Sequence, residues 1–213
     1  MQLIVENLKC IRGGRRIFDN VSFKLEEGQS LVVTGRNGAG KSTLLAILSG
    51  RLKASGGTIH LSGVQDRTLP ECLHLIGHKE ALKAVMTARE NLDFAAEILG
   101  NPALSTLEAL EHVGLVHAAD MPVAYLSAGQ KRRVALARLL VAHRPLWLLD
   151  EPTSALDTAS QKILFNMMNK HVEKGGMIMA ATHQEMPLVN LRELRIERPA
   201  PQEIDSDMMA GGF

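Results

Sequence analysis

The 213-residue chain has two cysteines, a formal net charge of +1, and no unbroken apolar run approaching the length of a membrane span. Each scarcity excludes something. Two cysteines, Cys10 and Cys72, in a mid-sized chain without a secretion signal are expected to remain reduced thiols, which points to the cytoplasm. Near-neutral charge provides no global basic field to hold nucleic acid by its phosphates, so no nucleic-acid partner is expected. The most apolar stretch, residues 134–149, is interrupted by Arg138, His143, Arg144 and Pro145. That falls short of the ~20 apolar residues a span requires. The first residues alternate like a strand up to Lys9 and Arg12, without the apolar core or cleavage site of a signal peptide. Eight histidines are scattered without ligand spacing, and there is no internal repeat. A 46% hydrophobic and 22% charged composition suits a globular domain rather than disorder or a coiled coil.

The pattern along the chain predicts alternating strands and helices. Residues 2–7 and 21–25 alternate as strands, and 30–34 is a short apolar strand running into a glycine loop. A helix over 41–49 follows, apolar at Leu44, Leu45, Ile47 and Leu48, and a strand over 58–61 comes after the Gly56-Gly57 turn. Residues 87–116 read as two helices parted near Gly100, Asn101 and Pro102, and 127–142 as another. Then come a buried-type strand at 146–149, a helix at 158–172 and an apolar strand at 177–181, the order of a three-layer α/β fold. Met167, Met168, Met177 and Met179 are expected to pack the core as flexible thioethers, not to bind metal.

Three segments carry chemistry. Gly35-Arg36-Asn37-Gly38-Ala39-Gly40-Lys41-Ser42 is a phosphate-binding pattern between strand and helix. Its glycines let backbone N–H groups converge on an anion at a helix N-terminus, with Lys41 on the outer phosphates and Ser42 on Mg²⁺. Asp150 and Glu151 end an apolar strand at the edge where open α/β sheets bind ligands. Neighbours along a strand point to opposite faces, so Asp150 can face the metal near Ser42 while Glu151 is aimed elsewhere, at the attacking water. Ser127 begins a helix with Gln130 three residues on, a capping box. Lys131, Arg132 and Arg133 crowd that first turn, where the helix dipole disfavours cations, an arrangement that would suit an external anion.

Taken together, the phosphate loop, Leu126-Ser127-Ala128-Gly129-Gln130, Asp150-Glu151-Pro152, Ser154-Ala155-Leu156-Asp157 and His183 resemble an ABC-transporter ATPase from residue 1 to about 196. The resemblance implies a P-loop three-layer α/β ATPase core with an antiparallel β subdomain and a helical insertion at about 80–143, leaving 197–213 as a poorly ordered tail. It implies ATP and Mg²⁺ as cofactors, with residues 35–42 binding nucleotide, Ser42 and Asp150 the metal, and Glu151 and His183 in catalysis. It also implies a head-to-tail homodimer in which Ser127 and Gly129 of one subunit cap the ATP of the other and Asp157 helps join the two sites. Three positions depart from the family pattern: Ala128 replaces a glycine, His78 a glutamine, and Arg12 an aromatic that stacks on adenine, although a guanidinium plane can also stack.

Gly77-His78-Lys79-Glu80-Ala81-Leu82-Lys83, Thr87, Glu90-Asn91-Leu92, residues 127–138 and Thr182-His183-Gln184 further resemble the ATP-binding subunits of the haem exporter used in cytochrome c maturation. That resemblance implies integral membrane subunits as partners and peripheral attachment to the cytoplasmic side of a bacterial inner membrane. Two alternatives are an ABC ATPase serving another substrate and a soluble ABC ATPase acting on DNA or ribosomes. The second would bring a basic face, a coiled-coil insertion or two fused halves, none of which is seen. A non-hydrolysing regulator is argued against by Lys41, Asp150, Glu151 and His183.

Overall fold

Alternating side chains at the start of the chain form a three-stranded antiparallel sheet in the computed structural model, which describes residues 1–64 and 67–197. Its strands are β1 (Gln2–Arg12), β2 (Arg15–Glu26) and β4 (Gly56–Ser62), in the order β2-β1-β4. β1 and β2 are longer than the alternation predicts. Gly13 and Gly14 both take positive φ, 53° and 71°, so a two-residue turn carries pairing to Arg12↔Arg15. Leu3, Val5, Leu8, Phe18 and Leu25 line the buried face.

The second sheet is wholly parallel, in the order β5-β6-β7-β3-β8. Its strands are β3 (Ser30–Thr34), β5 (Leu73–Ile76), β6 (Leu146–Asp150), β7 (Met177–Ala181) and β8 (Leu191–Arg195). Helix α1 (Lys41–Leu48) lies between the sheets, where Leu44, Leu45 and Leu48 join residues of both in one core. On the opposite face, α4 (Ala128–Val141) and α5 (Thr158–Glu173) bring Leu136, Leu139, Leu164 and Met168 against Trp147, Leu149 and Ile178. Helices α2 (Ala88–Leu99) and α3 (Thr106–His112) pack on α4 around a separate cluster that includes Leu92, Leu110 and Val134. The four methionines singled out above are all buried in these cores.

β5 and β8 escape the sequence pattern for different reasons. β5 is four residues long with a histidine at its second position, and β8, Leu-Arg-Glu-Leu-Arg, is an edge strand whose charged side chains stay in water. The expected tail, apart from Glu197, lies outside the described residues.

A buried histidine, His74, and a half-buried one, His171, give the fold a pH dependence. His74 is 4% exposed and its Nε2 donates to the Ala142 carbonyl at 2.8 Å. His171 stacks on Trp147 with ring centroids 3.9 Å apart, and its Nε2 donates to the Pro145 carbonyl. Burial pushes both rings down to about 4. Below about pH 6.5 the unfolded chain therefore takes up protons that the folded chain refuses until about pH 4. Each ring contributes stability that is complete above pH 6.5 and falls by about 1.4 kcal/mol per pH unit across that window. Urea midpoints at pH 7.5 and 5.0 are expected to differ accordingly, and His171→Phe, which keeps the stack on Trp147, is expected to shrink the difference. An undiminished drop in that variant would contradict the assignment.

Candidate active site

The glycine loop begins where β3 ends. Gly35 has φ 142°, and a Cβ there would stand 2.3 Å from the Ile196 carbonyl oxygen, so the approach of the chain after β8 demands glycine. Gly40 is the N-cap of α1 at φ 105°, with Ile17 and Phe18 of β2 pressed against its Cα. The antiparallel sheet thus braces the loop from below. Between them, Ala39 is buried in the core and its N–H donates to the Arg36 carbonyl at 3.0 Å, while Gly38 turns at φ 79°. The opening N–H groups of α1 have no partner within the helix.

The predicted loop and strand-end residues converge at the C-terminal edge of the parallel sheet. Lys41 is buried, and its Nζ donates to the Gly35 carbonyl at 2.9 Å and lies 2.9 Å from Nε2 of His183. The same ring nitrogen stands 2.7 Å from Asn37 Oδ1 and 3.8 Å from Glu151 Oε1. A single nitrogen cannot accept from Lys41 and donate to Asn37 Oδ1 at once, so each tautomer of His183 satisfies one of these two contacts. Ser42 Oγ donates to Asp150 Oδ1 at 3.0 Å. Adjacent oxygens in a Mg²⁺ shell at metal–oxygen distances near 2.1 Å are about 3 Å apart, so this pair has the chemistry and spacing for Mg²⁺.

Glu151 differs from the sequence expectation in one respect. β6 ends at Asp150, and Glu151 takes φ 44°, so strand alternation does not aim its side chain. Left-handed backbone costs a non-glycine residue roughly 1–2 kcal/mol. It is held by the Glu151 N–H donating to the Ala181 carbonyl at 2.8 Å, by Thr182 Oγ1 donating to its carboxylate at 3.1 Å, and by Arg132. The turn sends the carboxylate toward Thr182 and His183 while Asp150 stays with Ser42.

Helix α4 starts with the predicted capping box: Gln130 N–H donates to Ser127 Oγ at 3.2 Å, and Ser127 N–H to Gln130 Oε1 at 2.9 Å. A Cβ at Gly129 would meet the Ala155 carbonyl oxygen at 3.0 Å, so a side chain fits there only if that backbone gives by a few tenths of an ångström. Among the described residues neither Ser127 nor Gly129 hydrogen-bonds to the loop or to Asp150 and Glu151. For one of the three following cations the reading as facing an external anion is corrected: Arg132 is completely buried and its guanidinium donates to backbone carbonyls. Lys131 Nζ donates to the Ala124 carbonyl at 3.4 Å and Arg133 to that of Val113 at 3.1 Å, and both side chains remain partly exposed. Sequence reasoning missed Arg132 and Thr182. For Arg132 a signal existed, since it shares the spacing of the buried Ala135, Leu136 and Leu139.

Asp157 caps α5 by accepting from the Ser160 N–H at 2.8 Å, and its contacts with Ser160 hold its carboxyl below the usual range. His78 and Arg12 are exposed, Arg12 at the tip of the β1–β2 hairpin.

A glycine loop and its lysine facing an Asp-Glu strand end across a parallel sheet define a P-loop ATPase. The chain belongs to the ABC transporter family, whose model matches residues 18–154. It is 48% identical over 197 residues to the cytochrome c biogenesis ATP-binding export protein CcmA of Bradyrhizobium diazoefficiens, covering 92% of this chain and 98% of that protein. The protein of the same name from Rhodopseudomonas palustris is 47% identical with the same coverage. Among solved structures, a putative ABC transporter ATP-binding protein from Pyrococcus furiosus shares the fold at TM-score 0.80 and 22% identity, covering 92% of this chain and 98% of that one. A dimeric ATP-binding cassette in a post-hydrolysis state bound to ADP and Pi aligns at TM-score 0.76 and 25% identity, covering 92% and 97%. The chain is an ABC-type ATPase that binds nucleotide.

Proposed function

We propose that this chain is the ATP-binding and ATP-hydrolysing subunit of a haem exporter complex required for cytochrome c biogenesis, acting as a homodimer attached to integral membrane subunits. The observation that carries the ATPase reading is the convergence of Lys41, Ser42, Asp150, Glu151 and His183 within hydrogen-bonding range of one another or nearly so. The assignment to cytochrome c biogenesis rests on relatives near 47% identity over almost their whole length.

In this reading the N–H groups of residues 35–42 and the Lys41 ammonium bind the phosphates. Ser42 and Asp150 would hold Mg²⁺, which would supply charge neutralisation on the phosphates. Glu151, kept in place by Thr182, accepts a proton from the attacking water. His183, placed between Asn37 and Lys41, exchanges those contacts for the γ-phosphate. Among the described residues Ser127 and Gly129 make no hydrogen bond to the glycine loop of their own subunit, which fits their use on the nucleotide of a second copy. Arg12, at the hairpin tip, is free to stack on the base.

Among the described residues no helix is long and apolar enough to cross a membrane. In this reading attachment is through partner subunits, on the cytoplasmic side where ATP is present. A groove of about 240 Å³ beside α2 offers them the apolar Leu82, Phe94 and Ile98 between Lys83 and Arg138, with Phe94 and Ile98 39% and 65% exposed.

The dimer is tested by sizing the Glu151→Gln protein. It is expected to run as a dimer with Mg-ATP and as a monomer with ADP, and adding Ser127→Arg is expected to abolish the dimer. A monomer under every condition would overturn the composite site.

A further inference from the structure

Arg132 is a large charged side chain with no measurable exposure, and among the described residues no carboxylate lies within ion-pair distance of it. Its guanidinium is instead spent on main-chain carbonyls. Nη1 donates to Gly77 at 2.8 Å, Nη2 to Asp150 at 3.0 Å and to Glu151 at 2.8 Å, and Nε reaches Pro152 at 3.4 Å. Burying a cation is unfavourable, and desolvation lowers its affinity for its proton even though the charges of Glu80, Asp150 and Glu151 act in the opposite direction. A core-filling apolar residue would avoid that penalty. What no apolar residue supplies is a planar fork that fixes four acceptors from two strand ends at once.

We propose that Arg132 is a positioning residue for hydrolysis, holding the left-handed turn at Glu151 and tying it to helix α4. The inference rests on the role assigned above to Glu151. Three observations support it. Glu151 takes φ 44° one residue past β6, a conformation that needs external support, and the Arg132 bonds to the carbonyls of Asp150, Glu151 and Pro152 bracket that residue. The same side chain reaches Gly77, so the segment leading to His78 and the β6 end share one clamp. Arg132 also sits one turn into the helix that Ser127 caps. The helix end offered to the partner's nucleotide is thereby joined rigidly to the subunit's own Glu151. A shift of α4 as it engages the second nucleotide must be felt at the first catalytic carboxylate, giving the two sites of the dimer a mechanical connection within each chain.

The test compares wild type, Arg132→Lys, Glu151→Gln and the double variant as full chains. Lysine keeps the buried charge but presents one ammonium in place of the fork, and thermal melting together with nucleotide stoichiometry reports whether each variant is folded and competent. Arg132→Lys is expected to lower kcat at least tenfold, with ATP affinity within about twofold and one nucleotide still bound per chain. The double variant is expected to turn over no more slowly than Glu151→Gln alone, because Arg132 acts through Glu151. A kcat unchanged in Arg132→Lys, or losses that multiply in the double variant, would overturn the inference. Full activity in Glu151→Gln would instead overturn the underlying role of Glu151. Should Arg132→Lys fail to bind one nucleotide per chain, Arg132→Gln, which keeps a planar amide donor, is measured in the same way and the same split is expected.

Discussion

Glu151→Gln is expected to reduce ATP turnover by about a hundredfold to ten-thousandfold while ATP affinity changes less than about threefold. A positioned general base typically contributes about 10²–10⁴ in rate. The amide keeps the volume of the carboxylate and can still accept from Thr182 Oγ1, which now holds the side chain at 3.1 Å, so the fold of the turn is retained. The phosphate and metal groups, Lys41, Ser42 and Asp150, are untouched. Binding therefore persists without chemistry, and the ATP-bound state accumulates. Single-turnover hydrolysis beside equilibrium ATP binding measures the two effects separately. Turnover near that of wild type would remove Glu151 from the reaction.

Lys41→Ala is the opposite case. Lys41 is 8% exposed and its ammonium is held by the Gly35 carbonyl and beside His183, so the charge is fixed on the inner side of the loop. A hydrogen bond to a charged group contributes about 1.5–3 kcal/mol. Loss of the ammonium is then expected to weaken ATP binding roughly ten- to a hundredfold, with turnover falling as well. Calorimetric titration with a non-hydrolysable ATP analogue checks it. Equal affinity in the two proteins would contradict the placement of Lys41 on the phosphates.

How much of this was legible in the sequence follows from what each segment depends on. β3, β6 and β7 are buried on both faces of a parallel sheet, so they show as short continuous apolar runs and their bounds are read to within a residue. The caps of α2, α4 and α5 are local, made by side chains three residues from their partners, and α4's box was visible for that reason. The phosphate loop is legible because its glycines answer local geometric demands, such as the left-handed N-cap at Gly40. β8 was not, because an edge strand has no apolar signature, although it is the chain after β8 that makes Gly35 obligatory.

The strand-end turn at Glu151 and the burial of Arg132 depend on contacts between segments 18 and more residues apart, which local patterns do not carry. Alternation was therefore extended one residue too far, to Glu151. The helix dipole alone points the cations after Ser127 toward a ligand, whereas the register of α4 turns Arg132 onto its buried face.

The central claim, an ATPase subunit serving cytochrome c biogenesis from the membrane surface, is tested most directly by recovering the tagged chain from detergent-solubilised native membranes. Its partners are identified and ATP hydrolysis by the recovered complex is compared for wild type and Glu151→Gln. The account predicts membrane subunits of haem maturation and hydrolysis that disappears with Glu151. Hydrolysis that depends on Glu151 but comes with unrelated membrane partners would contradict the assignment to cytochrome c biogenesis.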